Sequence, residues 1–303
     1  MVSIIIPTYK RSSDLLKRAI DSVLSQSYSD IEVIVVDDNG KNELFIFRDN
    51  NIKYLTSLAE KEKRVKFIAN SENLGGSLSR NEGIKIATGE LITFLDDDDI
   101  FLPNKIENQV KYMKLNNLNC SFTDLSIYNE DDILIDRRCR NDIESFDKEY
   151  LLKYHLTKTI SSTETFMVSR KLLLDIGGFD DAVSGQEFYL MWKILNYPNL
   201  RIGYFESDDI KAYRTKSEAI STGPNKINGE KALYEFRKKH FDILNQKEIN
   251  YIKSRHRAVM AISYLRNKKY FKAMLYLIVA FLTNPVTAFK EAFGLKKRLK
   301  QSK

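Results

Sequence analysis

Four short apolar runs, separated by segments of helical apolar spacing, constrain the N-terminal third of this chain more than any other feature. Val2–Ile6, Ile31–Val36, Val65–Ala69 and Leu91–Leu95 are each predominantly apolar, and Ile31–Val36 is rich in β-branched residues. A strand with one solvated face alternates apolar and polar side chains, whereas these runs lack a polar face. Between them, Ser12–Gln26 places Leu15, Leu16, Ala19, Ile20, Val23 and Leu24 on one helical stripe. Ser77–Ala87 also reads as a helix, with Gly89 as its stop signal. The alternation predicts a parallel sheet covered by helices on both faces. After Pro103 we expect a helix over Lys105–Leu115 and strands around Asn119–Thr123 and Ile160–Val168. A turn is expected at Gly177-Gly178-Phe179-Asp180, followed by a helix over Glu187–Leu195. From Gly229 the chain reads almost wholly helical, and Asn267–Pro285 resembles one helical hairpin. The expected organisation is an α/β domain over residues 1–225 and a helical, basic extension over 226–303.

Charge is unevenly distributed along the chain. The net charge is +7, yet residues 253–303 hold thirteen Lys/Arg against the single acid Glu291, so this segment carries +12 and the rest −5. Lys268, Lys269, Lys272 and Lys296–Lys300 flank the apolar stretch AMLYLIVAFL. Cations around an apolar helical face suit an anionic membrane surface. The competing reading is a hairpin that packs its apolar side inward with its lysines solvated. Nucleic acid is not an expected partner, because no recognised binding module accompanies the charge. Cys120 and Cys139 are the only cysteines and form no CxxC, which fits a reducing compartment. Ala273–Thr283 is well short of the ~20 residues that span a bilayer. The N-terminus lacks a signal-peptide pattern. These features predict a cytoplasmic protein, peripheral on the cytoplasmic face of a membrane.

In parallel α/β sheets, ligands bind beyond the C-terminal ends of the strands. The residues there are Pro7-Thr8-Tyr9, Asp37-Asp38-Asn39, Asn73-Leu74-Gly75-Gly76 and Asp96–Asp99. Adjacent carboxylates repel one another, and a hard divalent cation such as Mg²⁺ or Mn²⁺ relieves that repulsion. On an extended segment, residues i and i+2 share a side, so Asp96 and Asp98 would face the crevice while Asp97 and Asp99 face away.

The segments VSIIIPTYKR, IEVIVVDDNG, NLGGSLSRNEGIKIATGELITFLDDDD and IGGFDDAVSGQEFYLMWKIL occur in this order. Over roughly residues 1–215, this ordered set resembles the family 2 glycosyltransferases, with the bacterial capsule and exopolysaccharide group nearest. The resemblance implies a GT-A fold, the Rossmann-like nucleotide-diphospho-sugar transferase domain, followed here by a mostly helical C-terminal extension. It implies that Pro7, Thr8 and Tyr9 hold the base and ribose, and that Asp38 hydrogen-bonds uracil. Arg80 and Asn81 match the family's pair near the sugar diphosphate, where a planar guanidinium fork suits phosphate oxygens. LDDDD matches the DxD element, with Asp98 the metal ligand, Asp96 assisting, and Asp96 and Asp97 counted in the donor-binding set. The implied cofactor is Mn²⁺ or Mg²⁺, a Lewis acid for the departing diphosphate. The general base of inverting members matches Glu187, the second residue of Gln186-Glu187, where the family more often shows two acids. The activity implied is transfer of a sugar from a nucleotide-sugar donor, UDP-linked, to a hydroxyl of a glycan or lipid-linked saccharide. Gln186 leaves open a catalytically idle homologue serving as a scaffold subunit. PTYKRSSD is not the Gly-rich loop of a nucleotidyltransferase, and no GxGxxG follows Val2–Ile6, which excludes a dinucleotide-dependent reductase.

Overall fold

A computed structural model describes residues 1–40, 45–160, 162–182, 184–214 and 224–291. Of these, the residues within 1–148, 160–182 and 186–214 form one compact unit, and those within 149–159, 183–185 and 215–303 a second. The N-terminal elements are β1 (Val2–Thr8), α1 (Ser13–Leu24), β2 (Ile31–Asp37), α2 (Phe45–Lys61), β3 (Val65–Ala69), α3 (Gly75–Ile86) and β4 (Leu91–Phe94). There follow β5 (Ile100–Phe101), α4 (Lys105–Leu115), β6 (Cys120–Thr123), β7 (Leu125–Tyr128), β8 (Leu134–Arg138) and α5 (Lys148–Lys158). Next come β9 (Met167–Ser169), α6 (Arg170–Asp175), α7 (Gln186–Leu195), β10 (Ile202–Phe205) and β11 (Ile210–Tyr213). The C-terminal helices are α8 (Pro224–Lys238), α9 (Gln246–Arg266) and α10 (Tyr270–Thr283), and residues 285–291 are also helical.

Seven strands form the main sheet in the order β10-β6-β9-β4-β1-β2-β3. All its pairs are parallel except those of β9, which runs antiparallel to both β4 and β6. The four expected strands are its β1–β4 half. A smaller sheet, β5-β11-β7-β8, joins the same unit. Along β1, Ile4 and Ile6 pack with Leu16, Ala19, Ile20 and Val23 of α1. Ile5 points the other way, toward α3, where a Cβ on Gly83 would lie 2.5 Å from the Ile5 side chain. All of these side chains are fully buried, and each Ile, Leu and Val among them contributes roughly 1.5–3 kcal/mol. The period-2 alternation of β1 thus buries both faces, as its unbroken apolar run requires.

Two residues that depart from the apolar strand pattern, Glu32 and Pro7, are explained by their surroundings. Glu32 in β2 accepts from Ser3 Oγ (2.6 Å), Thr88 N (2.6 Å), Gly89 N (3.1 Å) and Lys66 Nζ (2.7 Å). Burial opposes its charge, but the hydrogen bonds from Lys66, Ser3 and Thr88 hold its pKa down to about 2. Pro7 lies in β1 opposite Val36 of β2, but pairing with β4 stops at Ile5–Phe94. A residue without an N–H is tolerated where the second ladder has ended.

The expected strand over Ile160–Val168 is corrected. Only Met167–Ser169 is strand, and Thr163–Thr165 forms a 3₁₀ turn. Thr165 donates both its N–H (3.1 Å) and its hydroxyl (2.7 Å) to the carbonyl of Ser162. Such local bonds compete with a strand ladder. The hairpin expected over Asn267–Pro285 is corrected: that span holds one helix, α10, which pairs with the preceding α9 to form the hairpin, and Asn245 with Glu248 makes a capping box at the start of α9. Lys296–Lys300, part of the expected basic tail, lie outside the described residues.

Candidate functional site

Beyond Phe94 the β4 chain has no ladder to hold it extended, and the four aspartates fold into a turn. Asp99 N–H donates to the Asp96 carbonyl at 3.1 Å. The alternation expected of an extended segment is therefore absent. The turn brings Asp96 beside Asp99, and Glu164 of the 3₁₀ turn joins them, with one carboxylate oxygen of each within 4.8 Å of the others. Asp97 and Asp98 share Arg11 instead, whose Nε donates to Asp97 Oδ1 and Nη2 to Asp98 Oδ2, both at 2.8 Å. Arg18 donates to the Asp98 carbonyl at 2.5 Å and lies over the Tyr213 ring. Asp99 accepts from Tyr213 N–H at 2.8 Å.

The ionisation of the turn follows from these partners. Burial opposes the charge of Asp96, yet Arg80 beside it keeps its pKa below the ordinary value. Burial pushes Asp97 up to about 6 despite Arg11. Asp99 and Glu164 are raised well above the carboxylate range, by burial first and then by neighbouring carboxylates.

Arg80 connects the acid turn to the start of α7. Its Nη1 donates to Gln186 Oε1 at 2.8 Å and its Nη2 to Asp96 Oδ1 at 2.5 Å. The side chain is 6% exposed, its guanidinium lies 5.7 Å from the centre of the Phe179 ring, and its Nε is buried without a partner. Gly76 leaves room for it, since a Cβ there would lie 3.0 Å from Nη1. Glu187 follows Gln186 in the first turn of α7 and is half-buried, at the end of the helix where the dipole favours an anion. Asn81 is committed to the backbone: its Nδ2 donates to the Phe179 carbonyl and its Oδ1 accepts from Phe179 N–H, both at 2.8 Å. That clamp needs Gly178, which has φ +61° and whose Cβ would lie 2.3 Å from Asn81 Oδ1.

Asp38 is almost fully buried, and its carboxylate accepts from Leu74 N–H, Gly75 N–H and Asn70 Nδ2, each at 2.8 Å. It therefore holds the N-terminus of α3 against the end of β2. Lys10 N–H donates to Asn39 Oδ1 at 2.8 Å, and Asp38 N–H to the Thr8 carbonyl at 2.9 Å, which joins the first loop to the second. Pro7 and Tyr9 are half-buried, and Thr8 is buried close to Asp97. Thus Pro7, Thr8, Tyr9, Asp38, Arg80 and the acid turn share the C-terminal edge of the sheet, with Gln186-Glu187 tied in through Arg80.

Arg11 and Lys105 belong to this site without having been singled out in the sequence, whereas Glu164 is expected near the donor sugar from the family resemblance, on a strand where the structure has the 3₁₀ turn. Lys105 is fully buried, donates from Nζ to Thr93 Oγ1 at 2.9 Å and lies 4.1 Å from the centre of the Phe101 ring. Burial lowers its pKa to about 7. Arg11 lies in a loop, where no helical or strand period marks a residue. The donor chemistry fits a hard divalent cation, being all carboxylate, and the buried Oε2 of Glu164 has no hydrogen-bond partner.

The sheet and its edge define the class of protein: an α/β core of the GT-A type, followed by a helical C-terminal region. Residues 3–177 match the model of glycosyl transferase family 2, and the chain belongs to that family. It is 31% identical over 195 residues to an uncharacterised glycosyltransferase of Methanocaldococcus jannaschii, covering 63% of each chain. It is 33% identical over 134 residues to the Escherichia coli UDP-Glc:alpha-D-GlcNAc-diphosphoundecaprenol beta-1,3-glucosyltransferase WfgD, covering 44% of this chain and 49% of that one. The match to an uncharacterised Rickettsia felis glycosyltransferase covers only 20% of that protein, so the chain spans between a fifth and two-thirds of these relatives. Among solved structures, Staphylococcus aureus TarS 1–349 in complex with UDP-GlcNAc aligns at a TM-score of 0.58 and 16% identity, covering 91% of this chain and 90% of that one. At that identity the likeness is one of fold.

Proposed function

We propose that this chain transfers a sugar from a UDP-sugar to a hydroxyl of a glycan or lipid-linked saccharide, with inversion, in cell-surface polysaccharide synthesis. The observation that carries this reading is Arg80, which joins Asp96 of the acid turn to Gln186 beside Glu187. UDP compounds in the TarS complexes, and a UDP-Glc donor with a diphosphoundecaprenol-linked acceptor in the name of the E. coli relative, support the substrate class. The first loop (Pro7, Thr8, Tyr9) would enclose the base and ribose, with Asp38 at the uracil edge. Arg80 faces the diphosphate, and Asn81 holds the Phe179 ring beneath the guanidinium. Glu187 takes the proton of the acceptor hydroxyl as its oxygen attacks the anomeric carbon, and the bond to the diphosphate breaks on the opposite face.

Mn²⁺ or Mg²⁺, when bound, supplies Lewis-acid neutralisation of the departing UDP. The family pattern assigns its ligands to Asp98 and Asp96. A second set, Asp96, Asp99 and Glu164, is favoured by the closeness of their oxygens, whereas Asp98 is turned to Arg11. We place the enzyme on the cytoplasmic face of a membrane, held by its basic C-terminal hairpin.

The test is a panel of UDP-sugars with Mn²⁺ or Mg²⁺, scored for UDP release with and without hydroxyl acceptors. Metal-dependent release, reduced at least a hundredfold in Glu187→Ala with donor binding retained, supports the assignment. Transfer unchanged in Glu187→Ala removes Glu187 from its role. Gln186, where relatives more often carry an acid, favours the scaffold alternative, and even slow UDP-sugar hydrolysis excludes it.

A further inference from the structure

Within the hairpin of α9 and α10, helix α10 turns its small residues inward and its large ones outward. On α10, the fully buried residues are Ala273 and Ala280, seven positions apart. Ala280 packs with Ala258 on α9 and Ala288 beyond α10, Ala273 packs with Met260 and Tyr264 of α9, and Ser254 Oγ donates to the Ala280 carbonyl at 3.0 Å. The large side chains point outward instead. Phe271, Leu275, Ile278 and Leu282 are 75%, 50%, 49% and 81% exposed, and Val286 and Phe289 extend the row over residues 285–291. At about 100° per residue, the four α10 members share one face, opposite Ala273 and Ala280. A helix partnered only by water would place its alanines outward and its Phe and Leu inward. Small residues at the helix–helix seam and large apolar residues outside are the arrangement of helices in lipid.

Two further observations say what covers this face. No Asp or Glu occurs between Ile249 and Lys290, whereas Arg266, Lys268, Lys269 and Lys272 cluster at and just before the start of α10, all exposed. A face so charged is complementary to an anionic surface. Beside the row, α9 and α10 enclose a groove of about 270 Å³, walled by Ala258, Ala261, Leu265, Tyr270, Met274 and Leu277. α10 has 14 residues, so it is roughly 21 Å long at about 1.5 Å per residue, short of a hydrocarbon core of about 30 Å. Among the described residues no helix is long and apolar enough to cross a membrane. The helix is built to lie in the interface, not to span it.

We infer that the outward face of α10 docks on an anionic phospholipid leaflet, with Phe271, Leu275, Ile278 and Leu282 in the acyl boundary, the lysines at the headgroups and the groove receiving an acyl chain. This deepens the membrane contact proposed above by naming the face. Its readout is binding without donor or acceptor, so its failure and that of the transfer reaction are distinguishable.

The test is flotation of the full chain with vesicles of phosphatidylcholine alone or enriched in phosphatidylglycerol, at low and high salt. The wild type floats with the anionic vesicles, less so at high salt. Leu275→Glu/Leu282→Glu, both at exposed positions, stays in solution while keeping the wild-type melting curve. Each of Lys268→Gln, Lys269→Gln and Lys272→Gln lowers the partition coefficient roughly fivefold, from about one cation's worth of headgroup attraction. Absence of flotation, or equal flotation by the double variant, overturns the inference. So does a concentration-dependent dimer of the wild type without flotation, which would assign the face to a second copy of the chain.

Discussion

Arg80→Lys keeps the charge at the centre of the site and removes its fork. In the wild type, two nitrogens of one guanidinium reach Gln186 at 2.8 Å and Asp96 at 2.5 Å, while Nε bonds nothing and is not missed. One ammonium on a flexible stem cannot serve two acceptors held apart by a rigid fork. It keeps the ion pair with Asp96, because charge attracts charge, and leaves Gln186 unbonded. The direct loss is one hydrogen bond, about 0.5–1.5 kcal/mol, which lowers the melting temperature by roughly 1–6 °C. The functional loss is larger. The start of α7, which carries Glu187, is no longer held to the acid turn, and misplacement of a base by even about 1 Å costs ~100-fold. We expect kcat to fall 10- to 100-fold and KM for the UDP-sugar to rise only a few-fold. Arg80→Met is the reference: Asp96 loses its counter-charge, but at 37% exposure it is partly solvated, so the stability cost stays near the lower end of the ~3–5 kcal/mol of a broken buried pair. The assays are UDP release under saturating and limiting donor, and thermal melting of both variants. If Arg80→Lys keeps kcat and KM within twofold of the wild type, the fork does not organise the site and the reasoning fails.

Glu164→Gln removes one of three crowded carboxylates, so in metal-free protein at pH 8 the melting temperature rises by a few degrees. The rise induced by Mn²⁺ shrinks if Glu164 is a ligand, and Asp98→Asn in the same titration discriminates the two ligand sets. Gly178→Ala forces a side chain into positive φ and onto Asn81 Oδ1, costing about 2–4 kcal/mol in chemical denaturation; a cost under about 0.5 kcal/mol would show that the Asn81 clamp is dispensable. Asp97 has a folded pKa of about 6, above its unfolded value, so it favours the folded state below about pH 4 and that contribution is lost as pH climbs through 6. Asp97→Asn keeps an acceptor for Arg11 but loses the charge attraction, yet should gain on the wild type by up to about 2–3 kcal/mol between pH 4 and 8. A pH-independent difference in denaturant melts would refute the raised value.

The β1–β4 half of the sheet is legible because β1, β2 and most of β4 are buried on both faces, edge strand β3 less so, and a predominantly apolar run leaves few alternatives. Leu15, Leu16, Ala19, Ile20, Val23 and Leu24 mark α1 for the same reason, and four of them are fully buried. Past Pro103 the strands are only three to five residues long, and the pattern weakens. Met167–Ser169 is a three-residue strand that reverses the sheet direction, a feature that no local period announces. In the candidate site, residue identity located the acid run and Arg80, but contacts over 86 residues, as between Arg11 and Asp97, lie beyond any window of the sequence. The turn at Asp96–Asp99 shows the limit most clearly. Extended alternation pairs Asp96 with Asp98, while one bond from Asp99 N–H to the Asp96 carbonyl exchanges that partner for Asp99. Whether a ladder continues past Phe94 decides between them, and that is a property of β1 as much as of β4.

Arg11 gives the acid turn an internal counter-ion. It neutralises Asp97 and Asp98 from the loop after β1, and that same loop is bonded through Lys10 and Thr8 to the loop after β2. A cation that takes Asp98 as a ligand must compete with this guanidinium, and releasing it loosens the loop proposed to enclose the nucleotide. Linkage is reciprocal, so a nucleotide that reorders the loop would alter cation affinity by the same factor. The two ligands would then bind with a measurable coupling energy, and Arg11→Ala would reduce that coupling while raising the affinity for the metal alone.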